Sequence, residues 1–274
     1  MRQLRGFIKN RSGGSYLHVY NHITSEMPNY YPLNERARHD MFLQLSSYYL
    51  IKYNIEIISA VCMGNHFHLL IHCPEEKFSP QEAADAYNIF AATTQPGKGP
   101  KKRVPPVPPE SHEAFYVREN CNNISEYMRE LQRGFTLYYN ERCGYKRNGH
   151  LWQDRFRSQL IESAAYLWTC LKYVEMNPVR AKIATDAGEY SGSSYGAWTK
   201  SGQHPYADAF LKHIVSLAQN DEEITLEEFY PYMKLELADQ NFHSKKFIGS
   251  REFINKEYED WLHYLHEFTK QHAA

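Results

Sequence analysis

Apolar and polar positions alternate along residues 16–21 (YLHVYN), and the same period of two returns in the run from Cys62 to His72. Both predict strands, because successive side chains on a strand face opposite ways. Residues 55–62 (IEIISAVC), rich in β-branched side chains, predict another strand. Only Met63, Gly64 and Asn65 separate it from the histidine run, so the two should pair as an antiparallel hairpin. Helical spacing predicts a helix over 35–53, on Met41, Phe42, Leu43, Leu45 and Tyr49, with Asn34 as its cap. Another covers 123–142, on Ile124, Tyr127, Met128, Leu131, Phe135 and Tyr138. Ser79 with Glu82 three residues on reads as a capping box opening a helix over 80–92. Residues 158–162 suit a returning strand, and 163–177 a helix packed through Leu167, Leu171 and Val174 and ended by Pro178.

Residues 93–110 (TTQPGKGPKKRVPPVPPE) break these patterns with six prolines and four basic residues, and predict an exposed loop. Residues 188–198 (GEYSGSSYGAW) close the first unit; beyond them helices are expected over 207–218, 225–238 and 251–269. The organisation expected is a body over 1–195 and an acidic helical extension over 196–274. A chain of 274 residues with 42% hydrophobic and 23% charged content buries a core without staples. Its five cysteines form no CxxC pair and read as reduced thiols, and the basic opening lacks an apolar segment. The expectation is a cytoplasmic, nucleoid-associated protein with no membrane partner. The net charge of −1 conceals −7 after residue 185, eight Lys/Arg against fifteen Asp/Glu, and so +6 before it. A basic body with an acidic tail is compatible with a polyanion held by the body.

Chemistry concentrates in three places. In GNHFHLLIH, strand alternation sends His66, His68, Leu70 and His72 to one face and Phe67, Leu69 and Ile71 to the core. Two imidazoles two residues apart can grip a divalent cation; they can equally be packed strand histidines. Tyr173 and Asn177 lie one helical turn apart, bringing a phenol and an amide oxygen to one face, although a tyrosine on an amphipathic helix is usually core. Between 145 and 158, Lys146, Arg147, Arg155 and Arg157 interleave with Tyr145, Trp152 and Phe156. Cations neutralise phosphates and aromatic faces stack on unpaired bases, as a single-strand groove requires. The alternative is a surface loop pinned by buried aromatics.

GNHFHLL, GHLWQDRFRS and YLWTCLKYVEMNPVRA, in that order, resemble the HUH-type single-tyrosine transposases, and most closely the REP-associated branch. The likeness spans roughly residues 15–195. It implies an α+β, ferredoxin-like or RRM-like antiparallel sheet with helices on one face, to which the periodicity beyond it adds a C-terminal helical extension. It further implies Tyr173 as nucleophile and His66, His68 and Asn177 as ligands of Mg²⁺ or Mn²⁺, although two imidazoles alone also suit zinc. The partner implied is single-stranded or hairpin DNA, contacted by Lys146, Arg147, Trp152, Arg155 and Arg157 and cleaved through a 5′-phosphotyrosine, by a monomer or homodimer. A hairpin-binding protein without cleavage and a metal-dependent hydrolase are the competing readings. The proline-rich stretch, about 93–118, stands as an insertion in the family pattern.

Overall fold

The computed structural model describes residues 14–24, 32–142, 150–162, 164–214, 247–248, 250–256 and 259–260. Four strands, β1 (Ser15–His22), β2 (Glu56–Cys62), β3 (His66–Cys73) and β4 (Arg157–Ile161), form an antiparallel sheet in the order β2-β3-β1-β4. Helix α1 (Arg36–Leu50) joins β1 to β2; α2 (Pro80–Ala92), α3 (His112–Asn120) and α4 (Ile124–Arg142) lie between β3 and β4. This is the ferredoxin-like βαββαβ arrangement, an α+β fold as the motif resemblance implies. Among the described residues no helix is long and apolar enough to cross a membrane.

Strand parity divides the sheet. Leu17 and Val19 of β1, Phe67, Leu69 and Ile71 of β3 and Leu160 of β4 face α1 and α4, packing on Phe42, Leu45, Tyr127, Leu131 and Phe135. The other face carries Tyr16, His18 and Tyr20, paired respectively with His72, Leu70 and His68. On this side lie α5 (Ala164–Glu175) and the short α6 (Asn177–Arg180), then α7 (Ser194–Ser201) and α8 (Ala207–His213). Helices therefore cover both faces, not one as expected. The reason is that α5 carries a stripe of Leu167, Cys170, Leu171 and Val174, all fully buried, that only a second sheet face can receive. Burying one such leucine contributes about 1.5–3 kcal/mol.

The sequence reading misses several elements, among them the following three. Helix α3 falls inside the expected insertion and packs Ala114 and Val117 on Ala83, Ala84 and Ala86 of α2. Helix α7, capped by Ser193, crosses the boundary expected at 195. Strand β5 (Phe247–Ile248) pairs parallel to β4. The capping box at Ser79 and Glu82 is present, the N-cap position of α1 is Glu35 rather than Asn34, and α5 ends before Pro178 as expected, at Glu175, with Pro178 in the first turn of the short α6. The helix expected over 225–238 lies outside the described residues.

One irregularity shapes the histidine face. A bulge between Ile57 and Ser59 shifts the β2 register, so that Glu56 opposes His72, Ser59 opposes Leu70 and Val61 opposes His68. The extra residue brings an even- and an odd-numbered polar side chain, Glu56 and Ser59, to the same side of the sheet.

Candidate functional site

His66 and His68 lie at the start of β3, their rings 5.1 Å apart and nearly perpendicular at 87°. His68 is 1% exposed. Its Nδ1 meets His18 Nε2 at 2.9 Å, and His18 Nδ1 meets the Gln159 side-chain oxygen at 2.6 Å. An amide oxygen only accepts, so His18 Nδ1 must carry the proton and donate. His18 Nε2 is then a lone pair that accepts from His68 Nδ1–H, which leaves the lone pair of His68 on Nε2. The same logic holds for His66, whose Nδ1–H donates to the Asn65 side-chain oxygen at 2.7 Å. Both imidazoles thus offer Nε2, with Nδ1 fixed by an outer partner, the arrangement characteristic of metal-ligating histidines. The donor set fits a divalent cation.

Tyr173 reaches this place from α5. Its ring stands edge-on to His68, with centroids 6.2 Å apart, and to His18 at 5.9 Å. It is 3% exposed. Burial raises the phenol above its ordinary value, the Arg180 guanidinium 5.0 Å over its ring pulls the other way, and Cys170 and Tyr20 add to the rise. Asn177, one turn on, donates its amide N–H groups to the carbonyls of Tyr173 at 2.9 Å and Val174 at 3.2 Å. That ties the side chain to the end of α5 and turns its oxygen away from the helix.

The helix bearing Tyr173 is anchored by its own next-but-one residue. Glu175, 1% exposed, accepts hydrogen bonds from Ser59 Oγ at 2.7 Å and Ser194 Oγ at 2.6 Å, joining α5 to β2 and α7. Ser194 Oγ also accepts from the Ala60 N–H at 3.0 Å. Burial pushes the Glu175 carboxyl up to about 7, against the hydrogen bonds from Ser194, Ser59, the Tyr195 N–H and Ser193.

The expected DNA contacts separate. Arg157 opposes Tyr20 in the β1–β4 register, so it stands exposed at the rim of the histidine face, and Arg155 is exposed beside it. Trp152 instead serves the opposite face. Its Nε1–H donates to the Gln132 carbonyl and to Thr136 Oγ1, both at 3.1 Å, and its ring packs on Phe67 and Phe135. An indole so held is half-buried and pinned against the core, which favours the pinned-loop alternative for this residue. Lys146 and Arg147 lie outside the described residues. The sequence reading passed over His18, Gln159, Arg180 and Glu175. The alternation of YLHVYN does place His18 with Tyr16 and Tyr20, but not beside His68.

No protein-family model matches the chain, and no curated protein matches it. Among solved structures the chain is similar to a REP-associated tyrosine transposase bound to a REP hairpin, at 15% identity, over 69% of this chain and 82% of that one, with a TM-score of 0.43.

Proposed function

We propose that the protein is a metal-dependent, single-tyrosine DNA endonuclease and strand transferase acting on single-stranded or hairpin DNA. The observation that carries this reading is a buried phenol edge-on to His68, which stands beside His66, both imidazoles having their Nε2 lone pairs fixed by outer partners. The motif likeness supports the DNA substrate class.

His66, His68 and the Asn177 oxygen would hold Mg²⁺ or Mn²⁺. When bound, such an ion supplies Lewis-acid stabilisation of charge on a non-bridging phosphate oxygen. Tyr173 attacks phosphorus; a bond forms between its oxygen and phosphorus, and the bond to the 3′-oxygen breaks. The phenolic proton ends, net, on the departing 3′-hydroxyl, leaving a 5′-phosphotyrosine. The ester preserves the phosphodiester, so another 3′-hydroxyl can reverse the step and join strands. Arg180 favours the phenolate over its ring. Arg155 and Arg157 offer cations to the backbone at the rim, with Lys146 and Arg147 assigned there from the sequence.

The test is incubation with hairpin-bearing single-stranded DNA and Mn²⁺, followed by denaturing electrophoresis. A covalent adduct is expected from the wild type and none from Tyr173→Phe, a loss of roughly 10⁴-fold or more. An adduct surviving in Tyr173→Phe removes the nucleophile assignment. Chelator-insensitive hairpin binding with no adduct replaces the enzyme by a binding protein.

A further inference from the structure

The histidine face carries a second polar cluster that the proposed chemistry does not use. His72 lies four residues beyond His68 on β3, with Leu70 between them on the same face. Its Nδ1 meets Glu56 Oε2 at 2.6 Å, and His213 Nε2, from α8, meets the same oxygen at 2.8 Å. The two imidazole rings are 4.3 Å apart. These ligand atoms all lie within 4.8 Å of one another, on two strands and a helix far apart in sequence.

We propose that Glu56, His72 and His213 form a zinc site that fastens α8 to the β2–β3 side of the sheet. Two imidazoles and one carboxylate, with a fourth position for water, are a donor set that zinc accepts in tetrahedral geometry. The surroundings are built for it. The Tyr16 hydroxyl meets His213 Nδ1 at 3.0 Å, which fixes that ring with Nε2 toward Glu56. Lys212 Nζ holds the other carboxylate oxygen, Oε1, at 2.8 Å, so Oε2 alone is presented. Gly14 lets the backbone pass close to His72, because a Cβ there would stand 2.8 Å from His72 Nε2. Without metal, each neutral imidazole donates one N–H to Oε2; to take the ion each ring moves that proton to its other nitrogen, so that His213 Nδ1–H donates to the Tyr16 oxygen, and the ion sits between the two lone pairs and Oε2. Ligand atoms around tetrahedral zinc stand roughly 3.3 Å apart. The 2.6 and 2.8 Å separations therefore need to open by about 0.7 and 0.5 Å, which a rotation of the carboxylate can supply. The β2 bulge is what puts Glu56 on this face while Ser59 keeps its bond to Glu175.

The test must exclude the first histidine pair, so it uses the full chain carrying His66→Ala and His68→Ala. Stripped of metal and titrated calorimetrically with zinc chloride, this protein is expected to bind one zinc per chain and to melt at a higher temperature with zinc than without. Adding His213→Ala should abolish both effects, and adding Tyr16→Phe should weaken binding by roughly tenfold. If the His213→Ala protein does not fold, Glu56→Gln decides, since the amide keeps an acceptor but is a poor zinc ligand, and binding must again be lost. No zinc uptake by the His66→Ala/His68→Ala protein, or undiminished uptake after His213→Ala or Glu56→Gln, overturns the proposal and leaves an ion-pair network.

Discussion

The ring of Tyr173 stands edge-on to the ring of His68, at 6.2 Å and 87°, although one comes from a late helix and the other from an early strand. Burial keeps this phenol protonated, and Arg180 is the cation that opposes burial. Below its pKa the phenolate fraction grows tenfold per pH unit, so adduct formation at saturating DNA should accelerate between about pH 6 and pH 9. Arg180→Met raises the phenol further and should slow the reaction by about tenfold, at each pH below the phenol's pKa. The check is single-turnover adduct formation against pH; superimposable profiles would show that the guanidinium does not act on the phenol.

His18 acts through His68. Removing it in His18→Ala deletes the acceptor that fixes the Nδ1–H tautomer, and metal affinity should fall by roughly 10–100-fold. Adduct yield should then be poor at low Mn²⁺ and recover at high Mn²⁺. A deficit that added metal does not relieve would assign His18 another role.

Glu175 makes stability depend on pH. Its carboxyl sits at about 7 in the fold against an ordinary 4.5, so the folded state retains a proton that the unfolded chain gives up. The resulting cost is absent below about pH 4.5, grows as pH rises through the interval, and is constant above about 7, reaching roughly 3 kcal/mol. Glu175→Gln cannot ionise, so the stability difference should shift toward the variant between pH 5 and pH 8 in urea titrations. A difference that does not change with pH would mean that Glu175 is ionised in the fold throughout that range.

Trp152 and Arg157 should part company. Trp152→Ala is expected to cost about 3 kcal/mol of stability, because it empties the space between Phe67 and Phe135. Arg157→Ala, at an exposed position, should leave stability within about 0.5 kcal/mol. It should nevertheless weaken DNA binding and lower the salt dependence by about one counterion. Urea melts and binding titrations at several salt concentrations check both; a Trp152→Ala protein of unchanged stability would return the indole to the DNA-stacking role.

What could be read in advance follows the range of the interactions. The hairpin of β2 and β3, the capping box and the long α4 rest on residues near one another in sequence, and they appear within a residue or two of where they were expected. His66, His68 and Tyr173 were legible as chemistry-bearing types, and the fold brings their rings together. His18, Gln159 and Glu175 take their meaning from strands and helices assembled from distant segments, which no local period encodes. Trp152 misled because an aromatic among cations reads alike whether it faces a base or the core. Two faces of helices were not foreseen because strand alternation marks an apolar side without saying that the polar side is also roofed.

The outer flank of β4 is closed by two residues, Phe247 and Ile248, reinforced by the Glu162 N–H on the Ile248 carbonyl at 2.8 Å and by Ser250 on the Glu162 carboxylate. A chain cut short after residue 214 would bare that flank, a row of backbone donors and acceptors able to recruit the same strand from another copy. Such a truncation would not merely trim an appendage: it would invite self-association along the very strand that carries Arg157 and Gln159.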